Sequence, residues 1–237
     1  MVTASNYQNS TKTIGINFMR RTSKTTEIQL LKNRVKHCTK CENLVKSRSR
    51  AVPGYGFTDA NIFFVGLAPG RLGADSTGIP FTKDSSGRLF QLALSSSGIS
   101  MEPNGLVQNE NELRAYVTNL VKCNPKNDKG NNRYPSKLEL DNCNEFLKHE
   151  MCLVHFDVIV PLGRLSTEIV LNQKCNKFIS MHNRPVHANG SWCIPFIHPS
   201  FVARGSYPKN RYIEDFKSLN RWVRRHNDIK DDSSPRL

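Results

Sequence analysis

Asn61-Ile62-Phe63-Phe64-Val65-Gly66-Leu67-Ala68-Pro69-Gly70 is the stretch that decides the fold. Its apolar part is β-branched and aromatic and too short for a buried helix. It stops at a loop punctuated by glycine and proline, so it reads as a buried strand feeding a glycine-rich turn. Working outward, 86–94 carries Leu89, Phe90, Ala93 and Leu94 at helical spacing, and 116–121 is a second strand. Ser136-Lys137-Leu138-Glu139 is a capping box that opens a helix through about His149. A third strand over 157–162 ends at Gly163 and leads into a helix over 164–171. A fourth strand spans 192–197, and a final helix over 212–223 turns Phe216, Leu219 and Trp222 inward. Leu30, Leu31 and Val35 place a short helix before Cys38. Strands alternating with helices predict an α/β fold: a three-layer α/β/α sandwich around a mostly parallel four-stranded sheet, because parallel neighbours need crossover helices. Ligands of such sheets sit beyond the carboxyl ends of the strands. The polar residues there, from Gly66 to Asp75, at Asn119, and in His198-Pro199-Ser200, are therefore expected to share one cleft.

The chain has 237 residues, and 34 Lys plus Arg against 20 Asp plus Glu give a net charge of +14. No apolar run approaches the ~18 residues of a membrane span, and a polyanion, nucleic acid first, is the expected partner. The charge is uneven. Residues 1–26 hold four basic residues and no acid, and from Lys32 to Arg50 seven basic residues face Glu42 alone. Arg221, Arg224 and Arg225 sit close together on the last helix, as a solvated face or a phosphate contact surface. Residues 1–25 lack acids and hydrophobic period and are expected to be a disordered basic arm, with 26–226 the globular domain and 227–237 a flexible tail. An organellar transit peptide is the alternative reading of the arm; the expectation is a cytoplasmic, prokaryotic, nucleoid-associated protein.

Seven cysteines make an odd number in a chain too large to need staples, so a disulfide framework is not expected. Cys38-Thr39-Lys40-Cys41 is a C-x-x-C, followed far downstream by Cys123 and Cys143; four thiolates suit zinc and an iron-sulfur cluster equally. Cys152, Cys175 and Cys193 lie among apolar residues and read as small buried hydrophobes.

The loop after the first strand has neither G-x-x-x-x-G-K-[ST] nor G-x-G-x-x-G, which excludes both common nucleotide-phosphate motifs. Instead Gly66-Leu67-Ala68-Pro69-Gly70, Gly73-Ala74-Asp75, Thr77-Gly78-Ile79-Pro80-Phe81 and Ser86-Gly87 resemble the first motif region of the iron-sulfur uracil-DNA glycosylases. Thr118-Asn119-Leu120-Val121-Lys122-Cys123 resembles the strand carrying that family's uracil-reading Asn and a cluster ligand, and His198-Pro199-Ser200 its second catalytic motif. With the cysteines in order, the resemblance covers roughly residues 36–225. Within the superfamily the Gly-Leu-Ala-Pro form is similar to family 5 (type b), since family 4 (type a) has Glu where Leu67 stands.

The resemblance implies a monofunctional glycosylase that flips uracil out of DNA, and by extension hypoxanthine or xanthine, leaving an abasic site. Gly66 and Ala68 would line the pocket, Phe81 would stack on the base, and Asn119 has the donor and acceptor for uracil N3 and O4. His198 would donate to O2 as negative charge builds on the departing base. Ala68 stands where other families place a water-orienting Asp or Asn; Asp75 is the candidate for holding water or stabilising the cationic sugar, with Asp84 its rival. In 200–204, Phe201 or Val202 would wedge the base step and Ser200 and Arg204 would meet the backbone, a helix start being the other reading of this segment. The resemblance also implies a [4Fe-4S] cluster on Cys38, Cys41, Cys123 and Cys143, with zinc the alternative metal and Cys152 the substitute for Cys143, because the 124–142 insert is long. The cluster would set Lys40, Lys46 and Arg48 near DNA phosphates. A monomer acting on DNA with deaminated bases is expected; the competing expectation is a catalytically silent nucleic-acid binder on the same scaffold. Further protein partners, a sliding clamp included, have no signature in the sequence.

Overall fold

A computed structural model describes residues 24–100, 114–188 and 190–232. The elements are α1 (24–36), α2 (Glu42–Ser47), β1 (Tyr55–Gly56), β2 (Ile62–Gly66), α3 (Ala74–Thr77), α4 (Ser85–Ser96), β3 (Ala115–Asn119), α5 (Lys137–Leu153), β4 (Val158–Pro161), α6 (Arg164–Leu171), α7 (Phe178–Met181), β5 (Val186–Ala188), β6 (Ser191–Cys193), α8 (Pro199–Ala203) and α9 (Lys209–Asp232). The sheet has six strands in the order β1-β3-β2-β4-β6-β5. Its inner four, β3-β2-β4-β6, are parallel, as the alternating pattern predicts. The two edges are short antiparallel additions that the four-strand expectation leaves out.

Side-chain alternation in the buried strands makes the three layers. Ile62 and Phe64 of β2, Val117 of β3 and Val158 and Val160 of β4 point to one face. There they pack against Phe90 of α4, Val202 of α8 and Tyr212, Phe216 and Leu219 of α9. Phe63 and Val65, Tyr116 and Ile159 point to the other face, against Leu31 and Val35 of α1, Leu44 of α2 and Phe146 and Leu147 of α5. Truncating a fully buried ring such as Phe64 would cost about 3–5 kcal/mol.

Helix starts follow their local chemistry. The Ser136–Glu139 capping box forms in both directions, and α5 then runs on to Leu153, past the expected end. Asp84 caps α4, its Oδ1 accepting from Gly87 N at 2.7 Å. The last helix extends from Lys209 to Asp232, beyond both 212–223 and the expected domain end. At the other end, residues 24 and 25 are already helical; the rest of the proposed arm, 1–23, lies outside the described residues.

Candidate active site

Four strand ends meet at one place. Ladder bonds continue past β2 and β3, with Leu120 N donating to Gly66 O at 2.9 Å and Val121 N to Leu67 O at 3.0 Å, so the first motif loop starts beside Asn119. A Cβ on Gly66 would collide with Asn119 Oδ1 and stand 2.7 Å from Phe81 Cζ: both side chains hang over this glycine. Phe81 in turn lies 5.7 Å, centroid to centroid, from the His198 ring. Gly163, at the end of β4, has φ +96, and a Cβ there would come within 3.2 Å of His198 Cβ. Gly66, Asn119 and His198, which the strand-end argument expects in one cleft, thus stand around Phe81, a residue that only the family resemblance brings in.

Each of these side chains is held from behind. Phe81 has φ +51, unusual for a bulky residue. Its carbonyl accepts from Gln91 Nε2 at 3.1 Å and its ring packs on Phe90 at 4.7 Å, so it belongs to the core and to the cleft at once. Asn119 is 2 % exposed, and its side-chain amide has no protein partner among the described residues. Its backbone is anchored instead. Lys122 Nζ donates to Asn119 O at 2.7 Å, to Thr118 Oγ1 at 2.6 Å and to Glu150 Oε2 at 2.7 Å. Glu150 also accepts from Thr118 Oγ1 at 2.8 Å and Gly54 N at 3.1 Å. Both members of this ion pair are buried.

His198 caps α8. Its Nδ1 accepts from Ser200 N at 3.1 Å, which places the ring proton on Nε2 and leaves that atom as the free donor. Burial, with the Arg204 charge adding to it, pushes its pKa down to about 4, so the ring is neutral at physiological pH.

Asp75 is not in the cleft. It is fully buried, with Oδ1 accepting from Ser49 N at 3.0 Å and Oδ2 paired to Lys126 Nζ at 3.1 Å, and Lys126 also donates to Ser47 O. The carboxylate staples α3 to the 47–49 segment. The carboxylate on the first motif loop is Asp84, whose Oδ2 would stand 2.8 Å from a Cβ on Gly70 and would collide with one on Gly73. Ala68 is partly buried and packs against the face that carries the cysteines. Asn124 and Asn132 of the long insert hold the loop's far end: Asn124 Nδ2 donates to Pro69 O at 2.6 Å, and Arg71 N to Asn132 Oδ1 at 3.1 Å.

The 200–204 segment is helical from Pro199 to Ala203 rather than an extended loop. Val202 is buried in the core and cannot wedge a base step, whereas Phe201 is half-buried at its edge and Arg204 is exposed. Ser200 Oγ lies 2.8 Å from His198 Nδ1, so its hydroxyl belongs to the histidine.

Cys38 and Cys41, partly buried, and Cys123 and Cys143, buried, share one face of the core as free thiols. Three receive N–H donors at sulfur: Cys123 from Arg48 Nη1 at 3.0 Å, Cys143 from Lys122 N at 3.5 Å and Cys41 from Asn142 Nδ2 at 3.4 Å. Burial pushes the Cys143 thiol up to about 11 and raises Cys123 as well. Cys152, the substitute considered for Cys143, is exposed and lies outside the face that the other four share. Among the described residues no three His, Cys, Asp or Glu side chains close on a single metal ion. Of the expected phosphate contacts, Lys40 pairs with Glu145 at 2.7 Å, and Arg48 Nη2 donates to Cys38 O at 2.8 Å.

Sequence reasoning missed Lys122 and Glu150. Glu150 had a visible signal, since it continues the helical stripe of Cys143, Phe146 and Leu147 onto the buried face of α5.

A family model described as "Uracil DNA glycosylase superfamily" matches residues 53–222. The chain is 31% identical over 201 residues to a type-4 uracil-DNA glycosylase of Thermotoga maritima, covering 84% of this chain and 95% of that protein. It is 31% identical over 186 residues to a type-5 uracil-DNA glycosylase of Pyrobaculum aerophilum, covering 71% and 80%. A type-5 uracil-DNA glycosylase of Thermus thermophilus is 37% identical over 125 residues, covering 52% and 55%.

Proposed function

Because the chain belongs to the uracil-DNA glycosylase superfamily, we propose that it hydrolyses the N-glycosidic bond of uracil in DNA at the cleft of Gly66, Phe81, Asn119 and His198. The observation that carries this reading is the shared position of Asn119 Oδ1 and Phe81 Cζ over Gly66, with His198 beside the ring. A flipped uracil stacks on the Phe81 face and presents its pairing edge to the unpartnered Asn119 amide. The His198 Nε2–H donates to O2 as charge moves onto the base; a neutral donor fixed in place costs no reorganisation at that moment. Asp84 takes the carboxylate role that Asp75, bonded at both oxygens in the interior, is not free to fill. Leu67 and Ala68 favour the type-5 form of the family, and the lack of a water-orienting side chain at Ala68 favours a wider range of bases, hypoxanthine and xanthine among them.

The amine beside Asn119, Lys122 Nζ, is buried and spent on three acceptors and so is not free to form a Schiff base with the abasic sugar, which supports a monofunctional reaction without a lyase step. Cys38, Cys41, Cys123 and Cys143 hold a [4Fe-4S] cluster: the donor set is all sulfur, and three of the four accept N–H bonds as cluster thiolates do. The cluster when bound supplies a structural tie between α2, the end of β3 and α5, and no redox chemistry that the hydrolysis needs. The active species is a monomer; no helix among the described residues is long and apolar enough to cross a membrane.

The test is alkali treatment of duplexes carrying uracil, hypoxanthine or xanthine after incubation with the cluster-loaded protein. Alkali-labile sites at uracil, with no borohydride-trapped adduct, are expected. Intact strands at every lesion would overturn the proposal, and a trapped adduct would overturn the monofunctional part of it.

A further inference from the structure

A second cavity, of about 710 Å³, lies beside the cleft rather than in it. It is bounded by α1, by the 48–55 segment and by the turn that closes α3 at Gly78. Its lining carries Lys32, Lys36, Arg48 and Arg50 and no carboxylate. Two of these cations are already committed. Arg48 bonds Cys123 Sγ and Cys38 O, and Lys32 is half-buried with its ammonium 5.9 Å from the centroid of the Tyr55 ring. Lys36 and Arg50 are exposed and meet no anion among the described residues. Lys32 and Lys36 stand one turn apart on α1, a like-charge arrangement that destabilises a helix; the Glu150 charge acts on Lys32 and leaves Lys36 the outer cation of the pair.

The floor of this cavity is rigid. Ser47 O is held by Lys126, Ser49 N by Asp75 and Val52 N by Lys122 O at 2.7 Å. Gly78, in the left-handed region at φ +81, lies against the Arg50 stem, where a Cβ would meet Arg50 Cδ at 3.0 Å. From Gly78 to Phe81 the chain spans at most about 11 Å, so Arg50, which lies against Gly78, stands close to the ring over the cleft.

We propose that this cavity is a phosphodiester site for the DNA strand that carries the excised base, with Lys36 and Arg50 as its contacting cations. The assignment rests on the glycosylase reading. Asp75 then has a purpose outside the chemistry: through Ser49 and Lys126 it fixes the segment that presents Arg50. The positive charge is held still before DNA arrives, which lowers the ordering cost of binding.

The experiment compares cluster-loaded wild type, Lys36→Gln/Arg50→Gln and a control, Lys174→Gln/Lys177→Gln, on one uracil-containing duplex. Fluorescence anisotropy with an undamaged duplex of the same length is followed from 50 to 200 mM salt. Each phosphate contact contributes about 0.9 to the slope of log affinity against log salt, so the Lys36/Arg50 variant is expected to lose about 2 from that slope. Its KM should rise at least tenfold, with kcat within twofold and iron content unchanged. The control should shift the slope by less than about 0.3. If wild type excises uracil but the Lys36/Arg50 variant keeps slope and KM, the phosphodiester site is wrong and the glycosylase reading stands. A variant that loses kcat with its slope intact also overturns the site. If wild type excises nothing, the glycosylase reading itself fails, whatever the slopes.

Discussion

Replacing Lys122 by Met tests how the base-reading residue is held. The ammonium and the Glu150 carboxylate are 1% and 2% exposed and 2.7 Å apart, so neither is solvated by water. Met keeps most of the volume but strands the carboxylate on Thr118 Oγ1 and Gly54 N alone. Breaking one side of a buried pair costs about 3–5 kcal/mol, whereas replacing both sides by apolar groups is often close to neutral. With a urea m-value of about 2 kcal/mol/M, a loss of about 4 kcal/mol lowers the unfolding midpoint by about 2 M. Lys122→Met/Glu150→Leu should recover at least half of that drop, the remainder coming from Asn119 O and Gly54 N left without partners. In both proteins Asn119 loses its anchor, and kcat/KM for uracil excision should fall about 100-fold, as misplacements near 1 Å do. The assay is urea unfolding followed by tryptophan fluorescence, with excision measured at a temperature where every variant is folded. A Lys122→Met midpoint within 0.3 M of wild type, or a double variant no more stable than the single, would refute the reasoning.

Gly66→Ala fills the space under Asn119 and Phe81; uracil excision should drop at least about 100-fold while the circular dichroism spectrum is retained, and near-normal kcat/KM would move the pocket elsewhere. Asp75→Asn should lower stability by about 1–3 kcal/mol with kcat little changed, while Asp84→Asn, which keeps the helix cap, should lower kcat by about 100-fold or more; single-turnover excision separates the two. His198 titrates near 4 in the folded protein and near 6.5 unfolded, so it contributes no activity change between pH 6 and 8. The same shift means that stability present above pH 6.5 is lost as pH falls towards 4, and His198→Gln should flatten that acid limb in pH-dependent unfolding.

The centre of the parallel sheet, β2 and β4, was legible because these strands are buried on both faces and so read as unbroken apolar runs. Edge strands β1 and β5 have two and three residues, too few to establish a period, and only their pairing with β3 and β6 makes them strands. The capping box at Ser136 is local chemistry and announced α5. Beyond Val223 the final helix is polar, so its continuation to Asp232 left no apolar period to follow. In the site, Asn119 and His198 were legible as motif residues at strand ends, and Phe81 through the family resemblance alone. Asp75 was placed there for the same reason, but its true partners, Ser49 and Lys126, are 26 and 51 residues away in the chain, and nothing local to Asp75 foretells them. Lys122 reads as a surface lysine between Val121 and Cys123 until Glu150, 28 residues on, is seen to meet it.

The most direct test of the account is a single-turnover reaction of the cluster-loaded protein with a duplex containing one U·G pair, counting free uracil against abasic sites. Wild type should release one uracil per abasic site, and Asn119→Ala and His198→Ala, both folded and loaded with iron, should release none on the same timescale. Unchanged release by either variant would contradict the site, and no release by wild type would contradict the function.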